Sequence, residues 1–97
     1  MTIREYILEG ALKSAETRLD DLIKLNAPRV IIDGQQEYVN KLKAGELNIG
    51  GDTSVLDEEF VSREMKKGRG GKAYIVINEN VNFFPNARYG MYIRRAE

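Results

Sequence analysis

The sequence predicts an α+β fold in which an N-terminal αα-hairpin packs on one face of a small antiparallel sheet of three to four strands. Three observations support this prediction. Apolar residues follow helical spacing in the first half of the chain, short β-branched and aromatic runs fill the second half, and Gly-rich or Asn-rich segments separate those runs. Because 97 residues is the size of one small domain, we expect a single α+β domain spanning 1–97.

The first helix is predicted to run from Ile3 to about Leu25. Thr2 and Glu5 have the spacing of a capping box, in which each side chain accepts a hydrogen bond from an otherwise unpaired backbone N–H. An apolar stripe at alternating spacings of four and three comprises Leu8, Leu12, Ala15, Leu19 and Leu22. We expect this stripe to pack inside the protein, and a homodimer through the first helix is the alternative. Gly10 lowers helix stability, so we expect another element to cross closely there.

A second helix is predicted after Pro28, which suits a first helical turn, with Asn26 as its cap and Gly45 as its stop signal. Apolar residues at helical spacing are Val30, Ile31, Tyr38, Val39 and Leu42. The competing interpretation of this region is a short strand from Arg29 to Ile32, because that run is β-branched.

Two hairpins are predicted in the second half of the chain. Residues 73–77 have the composition of a central strand, and the Gly-rich segment 67–72 before them suits a hairpin tip. The turn at 78–80 then pairs that strand with residues 81–84. Residues 54–66 fit a helical turn or a strand about equally well.

Two shorter segments leave the number of strands open. Leu47 and Ile49 alternate with polar residues and suit a brief edge strand. Pro85 and Asn86 interrupt the strand that precedes them, so the terminal residues 87–97 form either a last edge strand or a tail.

Composition excludes several kinds of site. The chain has no Cys and no His, which removes disulfides, thiolate zinc sites, Cys nucleophiles and every Ser-His arrangement. An acidic group at Asp52, Asp57, Glu58 and Glu59 matches no EF-hand spacing. We therefore predict no catalytic residue, no metal site and no cofactor, and we expect a binding protein rather than an enzyme. Charges throughout the N-terminal region argue against a signal peptide or a membrane span, so we expect a cytoplasmic protein.

The charge of the chain is unevenly distributed although its formal net value is zero. Residues 1–62 contain 7 Lys/Arg and 12 Asp/Glu, a net charge of −5. Residues 63–97 contain 8 Lys/Arg and 3 Asp/Glu, a net charge of +5. Such an imbalance creates a local field that attracts an acidic partner at short range.

The candidate binding surface lies in the basic second half, where aromatic and cationic residues alternate. Its predicted members are Arg63, Lys66, Lys67, Arg69, Lys72, Tyr74, Arg88, Tyr89 and Arg94. Lys and Arg neutralise phosphates and exposed rings stack on unpaired bases, so these residue types suit single-stranded nucleic acid or an acidic protein groove. The alternative interpretation is structural, with the rings in the core and the cations protecting solvated turns and edges.

The leading hypothesis is a small non-enzymatic protein whose basic, aromatic hairpin contacts nucleic acid or a nucleic-acid-handling protein. One alternative is a phage or mobile-element accessory protein that inhibits a host enzyme by docking on it. The layout also resembles small ribosome-dependent toxin nucleases, which pair a helical hairpin with a basic antiparallel sheet. That resemblance implies a toxin-like ribonuclease, although the opening strand of those proteins and their strongly basic balance are missing here.

Overall fold

The computed structural model describes residues 1–88 and 90–96, which form two α-helices and a five-stranded mixed sheet. The helices are α1 (Ile3–Lys24) and α2 (Arg29–Lys43). The strands are β1 (Ile49–Gly51), β2 (Arg63–Lys67), β3 (Ala73–Ile77), β4 (Val81–Ala87) and β5 (Gly90–Arg95). The predicted α+β class is confirmed. Among the described residues, neither helix combines the length and the apolar character needed to span a membrane.

Two compact units make up the chain. The helical unit comprises Tyr6–Leu47, and the sheet unit comprises Met1–Glu5 together with Asn48–Glu97. Each unit has its own buried apolar residues.

The helical unit buries Ala15 of α1 against Val39 and Leu42 of α2. Half-buried apolar side chains of α1 that pack on this cluster are Leu8, Ala11, Leu12 and Leu19. A hydrogen bond from Gln35 Nε2 to the Ala15 carbonyl oxygen, 3.0 Å long, also joins the two helices. Four of the five residues of the predicted α1 stripe, Leu8, Leu12, Ala15 and Leu19, therefore pack within the helical hairpin.

The start of α1 is held by the predicted capping box. The Glu5 amide donates to Thr2 Oγ1 at 3.2 Å, and the Thr2 amide donates to Glu5 Oε1 at 2.9 Å. The backbone hydrogen bond from Thr2 stabilises the charged carboxylate, and it holds the pKa of Glu5 below its ordinary value. The capping box satisfies two backbone donors that the first helical turn leaves unpaired.

This lowered pKa predicts a pH-dependent contribution to stability. A carboxyl group whose pKa is lower in the folded state stabilises the protein above its unfolded-state pKa and loses that contribution as pH falls through the folded-state pKa. Glu5→Gln should therefore lower the melting temperature near neutral pH, and the difference from wild type should shrink as pH falls through the lowered pKa of Glu5. Glu9→Gln, on the same helix but outside the capping box, is the matched control. Equal and parallel pH profiles for the two variants would contradict this assignment.

The turn between the helices differs from the prediction in one detail. Asn26 adopts a positive φ of 54° and ends α1, whereas Pro28 is the N-cap of α2 and no side chain caps that helix. Asn26 was therefore wrongly expected to cap α2, because its left-handed backbone serves the preceding helix instead. Residues 29–32 are helical, so the alternative of a strand from Arg29 to Ile32 is excluded.

Within residues 1–88 and 90–96, the close crossing expected at Gly10 is not found. A Cβ placed on Gly10 meets no heavy atom within 4 Å. The glycine is exposed, and none of the residues that the structure describes approaches closely enough to require glycine there. The expectation was wrong because a helix tolerates an isolated glycine at a modest cost in stability, and a glycine in a helix does not by itself require a close neighbour.

The sheet has the strand order β1-β5-β4-β3-β2. The pairs β2·β3, β3·β4 and β4·β5 are antiparallel, as predicted, but β1 pairs with β5 in parallel. The sheet is therefore mixed and has five strands, rather than antiparallel with three to four. Because β1 covers its outer side, β5 lies inside the sheet, and the edges are β1 and β2.

Both alternatives for residues 54–66 are present in succession. A 3₁₀ turn covers Thr53–Asp57, and the strand β2 begins at Arg63. The break expected at Pro85 appears as a register shift between Phe84 and Ala87, after which β4 rejoins β5. A local shift of this kind bends a strand without ending the ladder.

The core of the sheet unit lies on one face of the sheet. Its fully buried or nearly buried apolar residues are Ile3, Val55, Leu56, Ile77, Val81, Phe83 and Ile93. Ile75 pairs with Phe83, which pairs with Ile93, so β3, β4 and β5 contribute side chains to the same face. The opposite face carries the candidate site.

Candidate functional site

Strand register divides the side chains of β2 to β5 between two faces. Along a strand, neighbouring residues point to opposite faces, and directly paired residues on adjacent strands share a face. Phe83 is 5% exposed and belongs to the buried face. Phe84, the next residue, therefore lies on the opposite face with its partner Tyr92, and Tyr74 lies there as well.

Tyr74, Phe84 and Tyr92 form a continuous line of rings across β3, β4 and β5, here called the aromatic row. The Tyr74 and Phe84 ring centroids are 5.3 Å apart and the planes are 21° from parallel. The Phe84 and Tyr92 centroids are 6.2 Å apart with a 52° tilt. Tyr74 and Phe84 are half-buried, whereas Tyr92 is 41% exposed. The sheet thus displays a strip of π-surface on the face opposite its core.

Two cations border the aromatic row. The Arg94 guanidinium lies over the Phe84 ring, with its central carbon 5.7 Å from the ring centroid. Lys66 of β2 is exposed and pairs directly with Tyr74, so its ammonium projects on the same face. Glu64, two residues earlier on β2, also lies on this face and partly offsets the positive charge. Exposed rings stack on planar groups, and cations beside them contact negatively charged groups.

Glycines lie at both ends of the aromatic row. A Cβ on Gly68 would lie 3.6 Å from the Tyr74 ring, and a Cβ on Gly50 would lie 3.6 Å from the Tyr92 ring. At Gly51, with φ +97°, a Cβ would lie only 2.0 Å from the Ile93 carbonyl oxygen, so the parallel β1·β5 pairing requires glycine there. No side chain from these three positions covers the end rings.

The structure gathers only part of the predicted site on this face. Lys66, Tyr74 and Arg94 lie together on it. Arg63 and Lys67 pair with Ile77 and Ala73, so they belong to the face of the core.

The other predicted members lie outside the strand faces. Arg69 lies in the short turn between β2 and β3, and Lys72 immediately precedes β3. Arg88 lies in the turn between β4 and β5. Tyr89 is outside the described residues. The turns therefore carry these cations outside the paired strands, with Lys72 only two residues before Tyr74 of the aromatic row.

Phe84 and Tyr92 belong to the aromatic-rich second half of the chain but not to the predicted binding residues, and both are members of the site. For Phe84, the sequence does contain an indication. Phe83 and Phe84 are adjacent on a strand, so one of the two rings must point away from the core. Which ring does so depends on the pairing with β3 and β5, which the sequence alone does not specify.

The acidic group of the sheet unit is engaged in internal contacts. Asp52 Oδ1 accepts from the Ser54 amide at 3.2 Å, and Asp57 pairs with Arg4 at 3.3 Å. Glu58 pairs with Arg95, and Glu59 pairs with the N-terminal ammonium at 2.8 Å. These carboxylates are divided among separate partners, and the described residues contain no His, Cys, Asp and Glu grouping suited to a metal ion.

The helical unit has two grooves lined by side chains of its helices. One, of about 380 Å³, is lined by Lys13, Ser14, Thr17, Arg18 and Asp21. The other, of about 390 Å³, lies between α1 and α2 and includes Glu16, Asp20, Gln36 and Lys43. Both are lined mainly by exposed polar side chains of mixed charge, in contrast to the mostly apolar lining of small-molecule sites.

Comparisons with models of protein families, with curated proteins and with solved structures found no match for this chain.

Proposed function

We propose that this protein binds single-stranded nucleic acid through the aromatic row and its bordering cations. The observation that carries the proposal is the placement of Tyr74, Phe84 and Tyr92 across three neighbouring strands on the face opposite the core. Sheet faces with exposed aromatic rings stack unpaired bases, and flanking Lys and Arg contact the phosphates.

Tyr92 is the principal stacking residue in this proposal because its ring is the most exposed of the three. Arg94, whose guanidinium rests over Phe84, is itself exposed and is free to rotate toward a phosphate when a base takes its place. In this proposal, Lys66 contacts a phosphate of the bound nucleic acid beside Tyr74, at the other end of the aromatic row. Binding through stacking and phosphate contacts tolerates many sequences, because every base has a π-face.

The charge distribution supports the same ligand. Residues 63–97 carry a net charge of +5, which offsets part of the repulsion that an acidic N-terminal half would impose on a polyanion. Because the cations bind phosphates, added salt competes with these contacts. The affinity for nucleic acid should therefore fall as the salt concentration rises.

The decisive test compares two neighbouring lysines of β2. Lys66 lies on the face of the aromatic row and Lys67 on the face of the core, although both are exposed and carry the same charge. Fluorescence anisotropy with a labelled single-stranded oligonucleotide should show that Lys66→Ser lowers the slope of log affinity against log salt by about 0.7. Lys67→Ser should leave that slope close to the wild-type value.

Stacking is tested by Tyr92→Ala. Loss of one base-ring contact should weaken binding by about 1–3 kcal/mol, which corresponds to about 5- to 150-fold in dissociation constant. Circular dichroism should confirm that the variant remains folded. Unchanged affinity for both Tyr92→Ala and Lys66→Ser would exclude the aromatic row as the binding surface.

A second candidate function is docking on an acidic protein, and the open edge of the sheet favours it. β2 is an edge strand whose five residues are all exposed, and it contains three cations and one carboxylate. An extended acidic segment of a partner would add to this edge through main-chain hydrogen bonds. Under this alternative, which includes inhibition of a host enzyme, Lys66→Ser and Lys67→Ser would weaken binding of an acidic partner to similar extents, and single strands would not bind.

A further inference from the structure

Glu64 is the one carboxylate in the strands β2 to β5 of the sheet. It pairs with Val76, so its exposed side chain lies on the face of the aromatic row, two residues from Lys66. Within residues 1–88 and 90–96, the Glu64 carboxylate forms no hydrogen bond and no ion pair. A carboxylate repels phosphates, so contacts with a nucleic-acid backbone do not account for Glu64.

Protection of the sheet edge does not require this carboxylate either. β2 is an edge strand, and Arg63, Lys66 and Lys67 already give it three exposed charges. Val76, the cross-strand partner of Glu64, is apolar and half-buried, so it offers no group that would bind a carboxylate. Glu64 is therefore an exposed and unengaged hydrogen-bond acceptor beside the rings to which we assign base stacking.

Glu64 lies within reach of a base that stacks at the Tyr74 end of the aromatic row. Lys66 pairs directly with Tyr74, and Glu64 is the diagonal neighbour of Tyr74 across the β2·β3 pair. Diagonal neighbours in a sheet lie about 7–8 Å apart, a distance that a long side chain and the width of a base together span. This end of the row is open because Gly68, whose Cβ would lie 3.6 Å from the Tyr74 ring, has no side chain.

We propose that Glu64 gives the aromatic row a preference for guanine at one position of the bound single strand. This inference rests on the proposed function, because a base must stack on the row before Glu64 can contact its edge. The two carboxylate oxygens accept hydrogen bonds from the guanine N1–H and N2–H groups, which lie side by side on the Watson–Crick edge. Lys66 remains on the phosphate beside Tyr74.

The hydrogen-bond pattern of guanine distinguishes it from the other bases. A carboxylate only accepts hydrogen bonds, so both of its oxygens are satisfied where two donors are neighbours. Adenine and cytosine each place an amino group beside a ring nitrogen that is itself an acceptor, and thymine and uracil flank one N–H with two carbonyl oxygens. Each of these bases sets an acceptor against a Glu64 oxygen, which weakens binding. Stacking on the rings tolerates every base, so the preference comes from Glu64.

Fluorescence anisotropy with labelled oligothymidine strands of about nine nucleotides tests this preference. The strands differ only at the central base, which is thymine, guanine, adenine or cytosine. The wild-type protein should bind the guanine strand about tenfold more tightly than the other three, as one bidentate contact to a base edge allows. Inosine at the centre lacks the N2 amino group and should lose part of that advantage. By contrast, 7-deazaguanine keeps the Watson–Crick edge and should retain all of it.

Glu64→Gln and Glu79→Gln are the matched pair of variants. Both residues are exposed, both belong to the basic second half of the chain, and each variant removes one negative charge. Glu79 lies in the turn between β3 and β4, outside the strand faces. Both variants should bind oligothymidine more tightly, because each loses a charge that repels phosphates. Only Glu64→Gln should abolish the preference for guanine, since an amide sets a donor against one of the two guanine donors.

Equal affinity of the wild-type protein for all four strands would overturn this inference and leave the proposed function standing. A guanine preference that Glu64→Gln retains, or that 7-deazaguanine abolishes, would also overturn it, because other groups would then read the base. If no strand binds with salt-dependent affinity, the proposed function and this inference fail together. Circular dichroism should show that both variants are folded, as expected for substitutions of exposed side chains.

Discussion

Ile77→Ala should destabilise the protein by about 2–5 kcal/mol, which is a large share of the stability of a small domain. Ile77 is 0% exposed and pairs with Val81, which is also 0% exposed, across the turn between β3 and β4. Truncation removes buried methylene and methyl groups and leaves a cavity that the surrounding strands fill only in part. Urea denaturation followed by circular dichroism measures the change.

The matched control for Ile77→Ala is Val61→Ala. Val61 is 75% exposed, so removing its methyl groups should change stability by less than about 0.5 kcal/mol. Ile75, a half-buried residue on the same face, should give an intermediate loss. If Ile77→Ala and Val61→Ala had equally small effects, the buried face of β3 would be assigned incorrectly.

Asn78→Ala should cost about 2–4 kcal/mol, an unusually large effect for a turn residue. Asn78 Oδ1 accepts hydrogen bonds from the Val61 amide at 2.7 Å and the Ser62 amide at 3.2 Å. Its Nδ2 donates to the Glu59 carbonyl oxygen at 2.7 Å. The same residue has a positive φ of 56°, which alanine adopts with strain. One side chain therefore both shapes the turn after β3 and fixes the segment leading into β2.

Two further substitutions separate these contributions. Asn78→Gly accepts the positive φ but loses all three side-chain hydrogen bonds, whereas Asn78→Asp keeps the acceptor and loses the donor. We expect Asn78→Ala to be the most destabilising and Asn78→Asp the least. A wild-type melting temperature for Asn78→Gly would show that the backbone conformation alone matters and that the three hydrogen bonds contribute nothing.

Local patterns in the sequence were sufficient for the helices and hairpins. The capping box at Thr2 and Glu5 and the turn residues at 68–72 and 78–80 act over a few residues, so their signals can be read directly. The parallel pairing of β1 with β5 could not be read in this way. This pairing places Gly50 beside Tyr92, although more than half of the sequence of the sheet unit separates the two residues. In addition, β1 is only three residues long.

The candidate site was predicted in composition but not in geometry. Alternation along a strand requires Lys66 and Lys67 to point to opposite faces, but only the pairing with β3 shows which of them lies beside Tyr74. The role of Asn78 was missed for a related reason. Its three side-chain partners lie 16 to 19 residues earlier in the sequence, beyond the range of any turn signal.

The most direct test of the proposed function is to follow the aromatic ring resonances of the protein by NMR while a single-stranded oligonucleotide is added at low salt. Stacked bases shift nearby ring protons, so the signals of Tyr92, Phe84 and Tyr74 should move. The ring of Phe83, 5% exposed on the opposite face, should move little and serves as the internal reference. Addition of salt should reverse the shifts. Unchanged ring signals at saturating oligonucleotide, or shifts confined to residues of α1 and α2, would contradict the assignment of the aromatic row as a nucleic-acid surface.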